Sequence, residues 1–295
     1  MNSSKSWLIC VAAGKQQLSG IIAAKRLGFS IFALDGDENA VGFAHADKFE
    51  VVDIRDSIKT LETVVRSGIE PQGVVSFICE AGIMSAATIR DFFKLPGPSL
   101  SISRSLTNKG LQRRIWTERG IPCPKWTLIK DIRDATEALK EIGLPAIVKP
   151  VDSAGSRAVT KITEESQAIS AVESALKASL SGIAIIESFI VGTEYSVESI
   201  LSRGEATILA ISQRKLINDV TATEIFTPDI PTSVTLKIES TVKLALRALE
   251  YEEGPAHTEI ILDEKGDPFL VETAGRGGGF MVAEGIVKYG ADYDL

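Results

Sequence analysis

Residues 7–100 alternate between apolar strand patterns and amphipathic helix patterns, and this alternation limits the available folds more than any other feature. "WLICVAA" is a near-continuous apolar run, broken by Gly14. "LSGIIAAKRLG" then carries apolar residues at helical spacing and ends at Gly28. "FSIFALD" and "FEVVDI" read as strands, "SIKTLETVVRSG" as a helix, "GVVSFI" as a strand and "GIMSAATIRDFF" as a helix, before "LPGPS" punctuates the chain. Strands buried on both faces and separated by helices predict a parallel sheet covered on each side, an α/β fold class.

The pattern changes after that series. "TNKGLQRRIWTERG" reads as a helix, followed by the strand "WTLI", the helix "DATEALKEIG", the strand "PAIVKP", the loop "VDSAGSR", the strand "AVTKI" and the helix "ESQAISAVESALKASL". This stretch, 106–186, reads as a small α+β lobe. Beyond Gly182 come "IAIIESFIVG", the long alternating strands "TEYSVESIL" and "EATILAISQRKL", the helix "SVTLKIESTVKLALRALE", and a hairpin built from "HTEIIL", "DEKGDP" and "FLVET". Three units are expected: 1–105, 106–186 and 187–295. A chain of 295 residues is long enough for them.

The hairpin carries chemistry. With Glu264–Asp267 as a four-residue loop, Asp263 faces Pro268, Ile261 faces Leu270, Glu259 faces Glu272 and His257 faces Ala274. Two carboxylates opposed on one face repel unless a proton or a cation sits between them. Mg²⁺ takes oxygen ligands, often one or two carboxylates with substrate phosphates. Arg276, four residues beyond Glu272, is placed to clamp a phosphate or a developing anion, and the glycines after it let backbone approach a ligand. The plainer reading is an exposed hairpin with two unrelated glutamates.

Two other stretches point the same way. Lys149 ends "PAIVKP" directly before "DSAGSR", where an ammonium and free loop N–H groups can cradle phosphate. No GxxxxGK[ST] occurs, so this is not a P-loop. In "IIESFIVGTEYSVE", a buried strand reaches Glu187, turns at Gly192 and restarts at Glu194. That connection offers backbone for an adenine and a carboxylate for a ribose. Taken singly, the first also reads as a solvated strand end and the second as an ordinary strand–turn–strand.

In their fixed order, "TNKG", "VKPVDSAGSRAV", "IIESFIVGTEYSVE", "GPAHTEI" and "VETAGRGG" resemble the ATP-grasp superfamily of carboxylate–amine ligases. The likeness is strongest to the carbamoyl-phosphate-synthase-like and amino-acid-ligase branch, and it covers nearly the whole chain. It implies a pre-ATP-grasp domain over 1–105, a small central grasp lobe over 106–186 and a C-terminal lobe over 187–295. It also implies ATP with Mg²⁺, or Mn²⁺ in its place, and an acyl-phosphate route that releases ADP and phosphate. By the resemblance, Lys109 and Lys149 contact the phosphates, and Ser153, Ala154, Gly155 and Ser156 form the loop over them. Glu187, Ser188, Phe189 and Ile190 line the adenine slot, and Glu194 binds ribose. Glu259 and Glu272 hold the metal, while Arg276 sits by the γ-phosphate and acyl phosphate, with Glu272 and His257 completing the catalytic set. The implied partners are a small carboxylate and an amine, ammonia or thiol, with a homodimer left open. Many relatives carry asparagine two residues after the second glutamate; Ala274 stands there, which leaves the metal count open. A carboxylase of the biotin or purine-pathway type and a non-catalytic nucleotide-binding module are the alternatives.

Other chemistries are set aside on composition and spacing. The net charge is −7, which disfavours non-specific nucleic-acid binding. Cys10, Cys79 and Cys123 are far apart, which argues for a reducing compartment, here read as cytoplasm, and against a disulfide framework. "HTE" imitates a zinc deaminase, but no cysteine follows Cys123, and His45 and His257 are the only histidines. "AAGKQQ" has one glycine where a dinucleotide fingerprint needs three. No run approaches the roughly 18 apolar residues of a membrane span. The last residues, "GIVKYGADYDL", read as the start of a further helix, so a short or truncated form is expected.

Overall fold

The computed structural model describes residues 6–217, 221–279 and 282–290. Its first sheet is the expected parallel one. β1 (Trp7–Val11), β2 (Ser30–Asp35), β3 (Lys48–Val51) and β4 (Pro71–Val75) lie in the order β3-β2-β1-β4. Alternate residues of β1 and β2 feed two cores. Leu8, Cys10, Ile31 and Ala33 pack on α1 (Leu18–Arg26), while Ile9, Val11, Phe32 and Leu34 pack with Val64 of α2 (Ser57–Arg66) and Ile89 of α3 (Ile83–Phe93). This is why β1 and β2 lack polar alternation: both faces are inside.

A six-residue helix, α4 (Leu100–Ser105), was not foreseen. Ser99 caps it, accepting from Ile102 N–H, and α5 (Lys109–Glu118) follows with Asn108 accepting from Leu111 N–H. The second sheet contains β5 (Trp126–Ile129), β6 (Ala146–Pro150), β7 (Thr160–Ile162) and β8 (Ala184–Ser188), ordered β5-β8-β6-β7 and antiparallel. α6 (Ala135–Ile142) and α7 (Ala168–Ala178) cover one face through Leu139, Ile142 and Val172.

The third sheet is antiparallel, in the order β11-β10-β9-β12-β13. Its strands are β9 (Gly192–Ser202), β10 (Glu205–Ile217), β11 (Thr221–Phe226), β12 (Gly254–Asp263) and β13 (Pro268–Ala274). β11 was not foreseen. Tyr195, Val197, Ile260, Leu262 and Leu270 bury one face against α8 (Thr232–Ala248). Trp116 of α5 joins the same core, and its indole N–H reaches the Ala245 carbonyl at 3.4 Å. The helix grouped with the small lobe on sequence thus packs beneath the C-terminal sheet. A π-helical segment, Ala283–Gly290, takes up the first part of "GIVKYGADYDL"; 291–295 lies outside the described residues. Among the described residues, no helix is long and apolar enough to cross a membrane.

The β12–β13 register departs from expectation near its turn. Glu259 faces Glu272 and His257 faces Ala274, as read from the sequence, but Ile261 faces Phe269 rather than Leu270. The turn closes at Asp263 N–H to Asp267 O (3.0 Å), not at Pro268, leaving a three-residue loop with Gly266 at φ +78°. The Asp263 carboxylate accepts from the Lys265 and Asp267 N–H groups, which tightens that loop. A bulge at Val271 restores the pairing at Glu272. The outer edge of β13 is closed by α5 and the segment after it: Leu270 N–H donates to Pro122 O, Arg113 donates to Val271 O, and Gln112 pairs with both backbone groups of Thr273.

Candidate active site

A cavity of about 670 Å³ is lined by residues of the second and third sheets and by Gln16, Ile78 and Glu80 from the segments that follow β1 and β4. Strand period places its floor. With Thr258 and Ile260 turned to the core, His257, Glu259 and Ile261 turn to the cavity. The bulge lets both Val271 and Glu272 line it, with Ala274 beyond. Arg214 of β10 and Glu194 of β9 complete the floor.

The floor is a network of paired charges. Lys109, the first residue of α5, places Nζ 2.9 Å from Glu272 and 2.8 Å from the Ser153 carbonyl. Arg214 reaches Glu259 at 2.7 Å and Glu194 at 3.0 Å. Its second terminal nitrogen is 3.1 Å from His257 Nε2, and its buried Nε has no partner among the described residues. The expectation that Glu259 and Glu272 stay uncompensated without a cation is therefore corrected: each has its own basic side chain. Among the described residues, no group of three metal-ligating side chains is assembled.

Glu187 lines the cavity and also binds two cations. Its buried carboxylate sits 2.7 Å from Lys149 Nζ and 2.7 Å from Arg113 Nε, the latter out of line for a hydrogen bond. Burial pushes Glu187 up, but Arg113 and Lys149 outweigh it and hold it below the usual carboxylate value. Burial draws the Lys149 pKa down against the attraction of Glu187, and the nearby Arg113 and Lys109 add to that lowering.

The same forces sort the other carboxyls. Burial would raise Glu259, but Arg214 and His257 hold it well below the ordinary range. Glu194 is raised to about 7 by burial and by Glu259, against the pull of Arg214. Burial works against a charge on His257, but Glu198 outweighs it and lifts the imidazole to about 9. Arg276 reaches across to the segment after β4, 2.9 Å from Glu80.

The remaining predicted residues form the rim. Ser153, Ala154, Gly155 and Ser156 lie on the β6–β7 loop, where Gly155, Ser156 and Ala158 all have positive φ. Two of these are not glycine, so the loop holds a costly backbone. Ser188 ends β8, and Phe189 and Ile190 lie on the β8–β9 connection. Ser188 N–H donates to Lys125 O and Phe189 N–H to Pro145 O, leaving the Ile190 N–H without an acceptor among the described residues. Lys161 Nζ lies 3.8 Å over the Phe189 ring.

Sequence reasoning missed Arg113, Arg214, Glu80 and Glu198. Glu80 had a usable signal: it follows β4 at the carboxyl end of a parallel strand, where ligands of such sheets collect. Arg214 shares the two-residue period of Ser212 on β10, but nothing local marks it as different from a solvated strand end.

Residues 142–284 match the family described as the ATP-grasp domain. This segment is an ATP-grasp domain. The chain is 27% identical over 191 residues to a D-alanine–D-alanine ligase of Aromatoleum aromaticum, covering 62% of this chain and 60% of the relative. It is 24% identical over 195 residues to a formate-dependent phosphoribosylglycinamide formyltransferase of Methanococcus maripaludis, covering 64% and 49%. The chain thus spans about half to three-fifths of the length of these curated relatives. Among solved structures, the L-amino acid ligase from Bacillus licheniformis superposes with a TM-score of 0.82 at 23% identity, over 97% of this chain and 71% of that one. An ADP complex of N5-carboxyaminoimidazole ribonucleotide synthetase gives 0.80 at 19%, over 93% and 71%. Both share the fold. In the ATP-grasp domain here, the cavity floor comes from β9, β10, β12 and β13, and Lys109 enters from outside the matched segment.

Proposed function

We propose that the chain is an ATP-dependent carboxylate–amine ligase, with an amino acid as the carboxylate. The observation that carries this reading is the gathering of Lys109, Lys149, Arg214 and Arg276 around one cavity that also presents Glu259 and Glu272 side by side. Four cations over a cavity of this size suit a triphosphate, and the Arg214 Nε is a donor without an acceptor among the described residues. Adenine would sit against the β8–β9 connection at the Ile190 N–H, with Glu194 toward the ribose.

The two opposed carboxylates suit Mg²⁺, or Mn²⁺, which takes its other ligands from phosphate and water. The metal would neutralise phosphate charge. A substrate carboxylate oxygen would attack the γ-phosphorus as the bond to the β-phosphate oxygen breaks, giving an acyl phosphate and ADP. An amine nitrogen would then attack the acyl carbon, phosphate would leave, and the nitrogen would lose its proton. Arg276 would hold the transferred phosphate against the acyl group, and His257, which lines the same cavity, would face it.

Calorimetry with a non-hydrolysable ATP analogue tests the phosphate contacts. Lys109→Ala and Lys149→Ala should each lose a charge-assisted contact worth about 1.5–3 kcal/mol, roughly ten- to hundredfold in affinity. Cys123→Ala, outside the cavity lining, should bind as the wild type does. Unchanged affinity in both lysine variants would remove the nucleotide from this cavity.

A further inference from the structure

Beneath the cavity, off its wall, lies a buried carboxylate that the proposed reaction does not use. Glu198 of β9 is 1% exposed and stands directly opposite His257 of β12. One oxygen takes the His257 Nδ1–H. The other accepts the Gly278 N–H at 3.0 Å. A side chain on Gly278 would place its Cβ 2.5 Å from Glu198 Oε1 and 2.7 Å from His257 Nδ1, so only glycine lets the backbone come this close. Gly278 is two residues beyond Arg276, and the other ring nitrogen of His257 faces Arg214 and Glu259 in the cavity. A lone buried carboxylate would be costly, and both its oxygens are engaged.

We infer that Glu198 is a positioning residue. It clamps the His257 ring to the backbone behind Arg276, so that the imidazole and the guanidinium enter the cavity from one rigid node. The consequence for catalysis rests on the ligase reading; the clamp itself does not. Geometry errors of about 1 Å at a reacting centre can reduce rate by roughly a hundredfold while binding elsewhere persists. Loss of the clamp should therefore slow turnover and spare the nucleotide.

The chain has two histidines, and His45 is exposed, so histidine-selective labelling gives one buried imidazole to follow. In protein labelled with ¹⁵N at histidine and glycine, the wild type should show a slowly exchanging His257 Nδ1–H and a protected Gly278 N–H. Glu198→Leu should lose both. Glu198→Gln keeps the volume but must turn its NH₂ toward one donor, so at least one signal should lose protection. This second variant decides the matter if Glu198→Leu fails to fold. In both variants, ADP release with ATP, Mg²⁺ and a mixture of L-amino acids should fall roughly ten- to hundredfold, with affinity for the ATP analogue held within about twofold. Retention of both signals in Glu198→Gln overturns the clamp. Unchanged ADP release in a variant that has lost a signal overturns its role in positioning. A wild type that binds no ATP analogue removes the ligase reading instead, while the two resonances still report on the clamp.

Discussion

Replacing Arg113 with methionine will destabilise the protein by about 3–5 kcal/mol, the usual result of removing one partner from a buried ion pair. Arg113 is 0% exposed, lies 2.7 Å from Glu187, and donates to the carbonyl of the bulged Val271 at 2.7 Å. Methionine fills similar space but leaves that carbonyl without its donor and leaves Glu187 to Lys149 alone. The effect has a pH signature. Glu187 is held below its ordinary value of 4.5, so its pairing stabilises the fold above that pH and the stabilisation is lost as the pH falls through the depressed value. The stability gap between wild type and Arg113→Met should be widest near neutrality and should narrow in acid. Urea melts across that range measure it. A gap that is constant or widens in acid would mean that Arg113 acts through packing alone.

Glu272→Gln will remove the coupling between metal and nucleotide. In the resting site Lys109 is held by Glu272 and Arg214 by Glu259. A divalent cation taking the two carboxylates would free both basic groups for phosphate, so metal and ATP should bind better together than apart. At a hundred times its dissociation constant, Mg²⁺–ATP should stabilise the wild type by about 2.7 kcal/mol. In Glu272→Gln, and equally in Glu259→Gln, most of the Mg²⁺-dependent part should disappear. Affinity for ATP without metal should hold or rise in Glu272→Gln, because Lys109 then loses its internal anion. Equal Mg²⁺-dependent shifts in the wild type and both variants would show that this hairpin holds no metal.

The fold was legible wherever side-chain period and burial agree. The parallel series over 7–100 could be read because β1 and β2 are apolar on both faces, and the Glu259–Glu272 opposition followed from the alternation of two strands across a short turn. The turn itself went wrong by one residue. The bulge at Val271 depends on Arg113 and Pro122, which approach from far away in sequence and satisfy backbone groups no local pattern mentions. The short α4 and β11 escaped for lack of a long periodic run. Among the site residues, Lys149 stood beside a loop that marked it, whereas Lys109 came only from the resemblance. Arg214 and Glu198 lie inside ordinary alternating strands, and only the pairing of β9, β10 and β12 brings them to His257. The partner of each carboxylate was invisible for the same reason. Charge compensation is a property of the assembled cavity, so a pair that looked repulsive in one hairpin is neutralised by helices and strands from elsewhere.

The most direct test of the ligase mechanism is the fate of a carboxylate oxygen. Protein, ATP and Mg²⁺ would be incubated with L-amino acids labelled with ¹⁸O in their carboxyl groups, and the released phosphate examined by ³¹P NMR. An acyl phosphate carries one substrate oxygen onto phosphorus, so ADP should accumulate together with phosphate containing one ¹⁸O. AMP with pyrophosphate, or ADP with unlabelled phosphate, would contradict the mechanism.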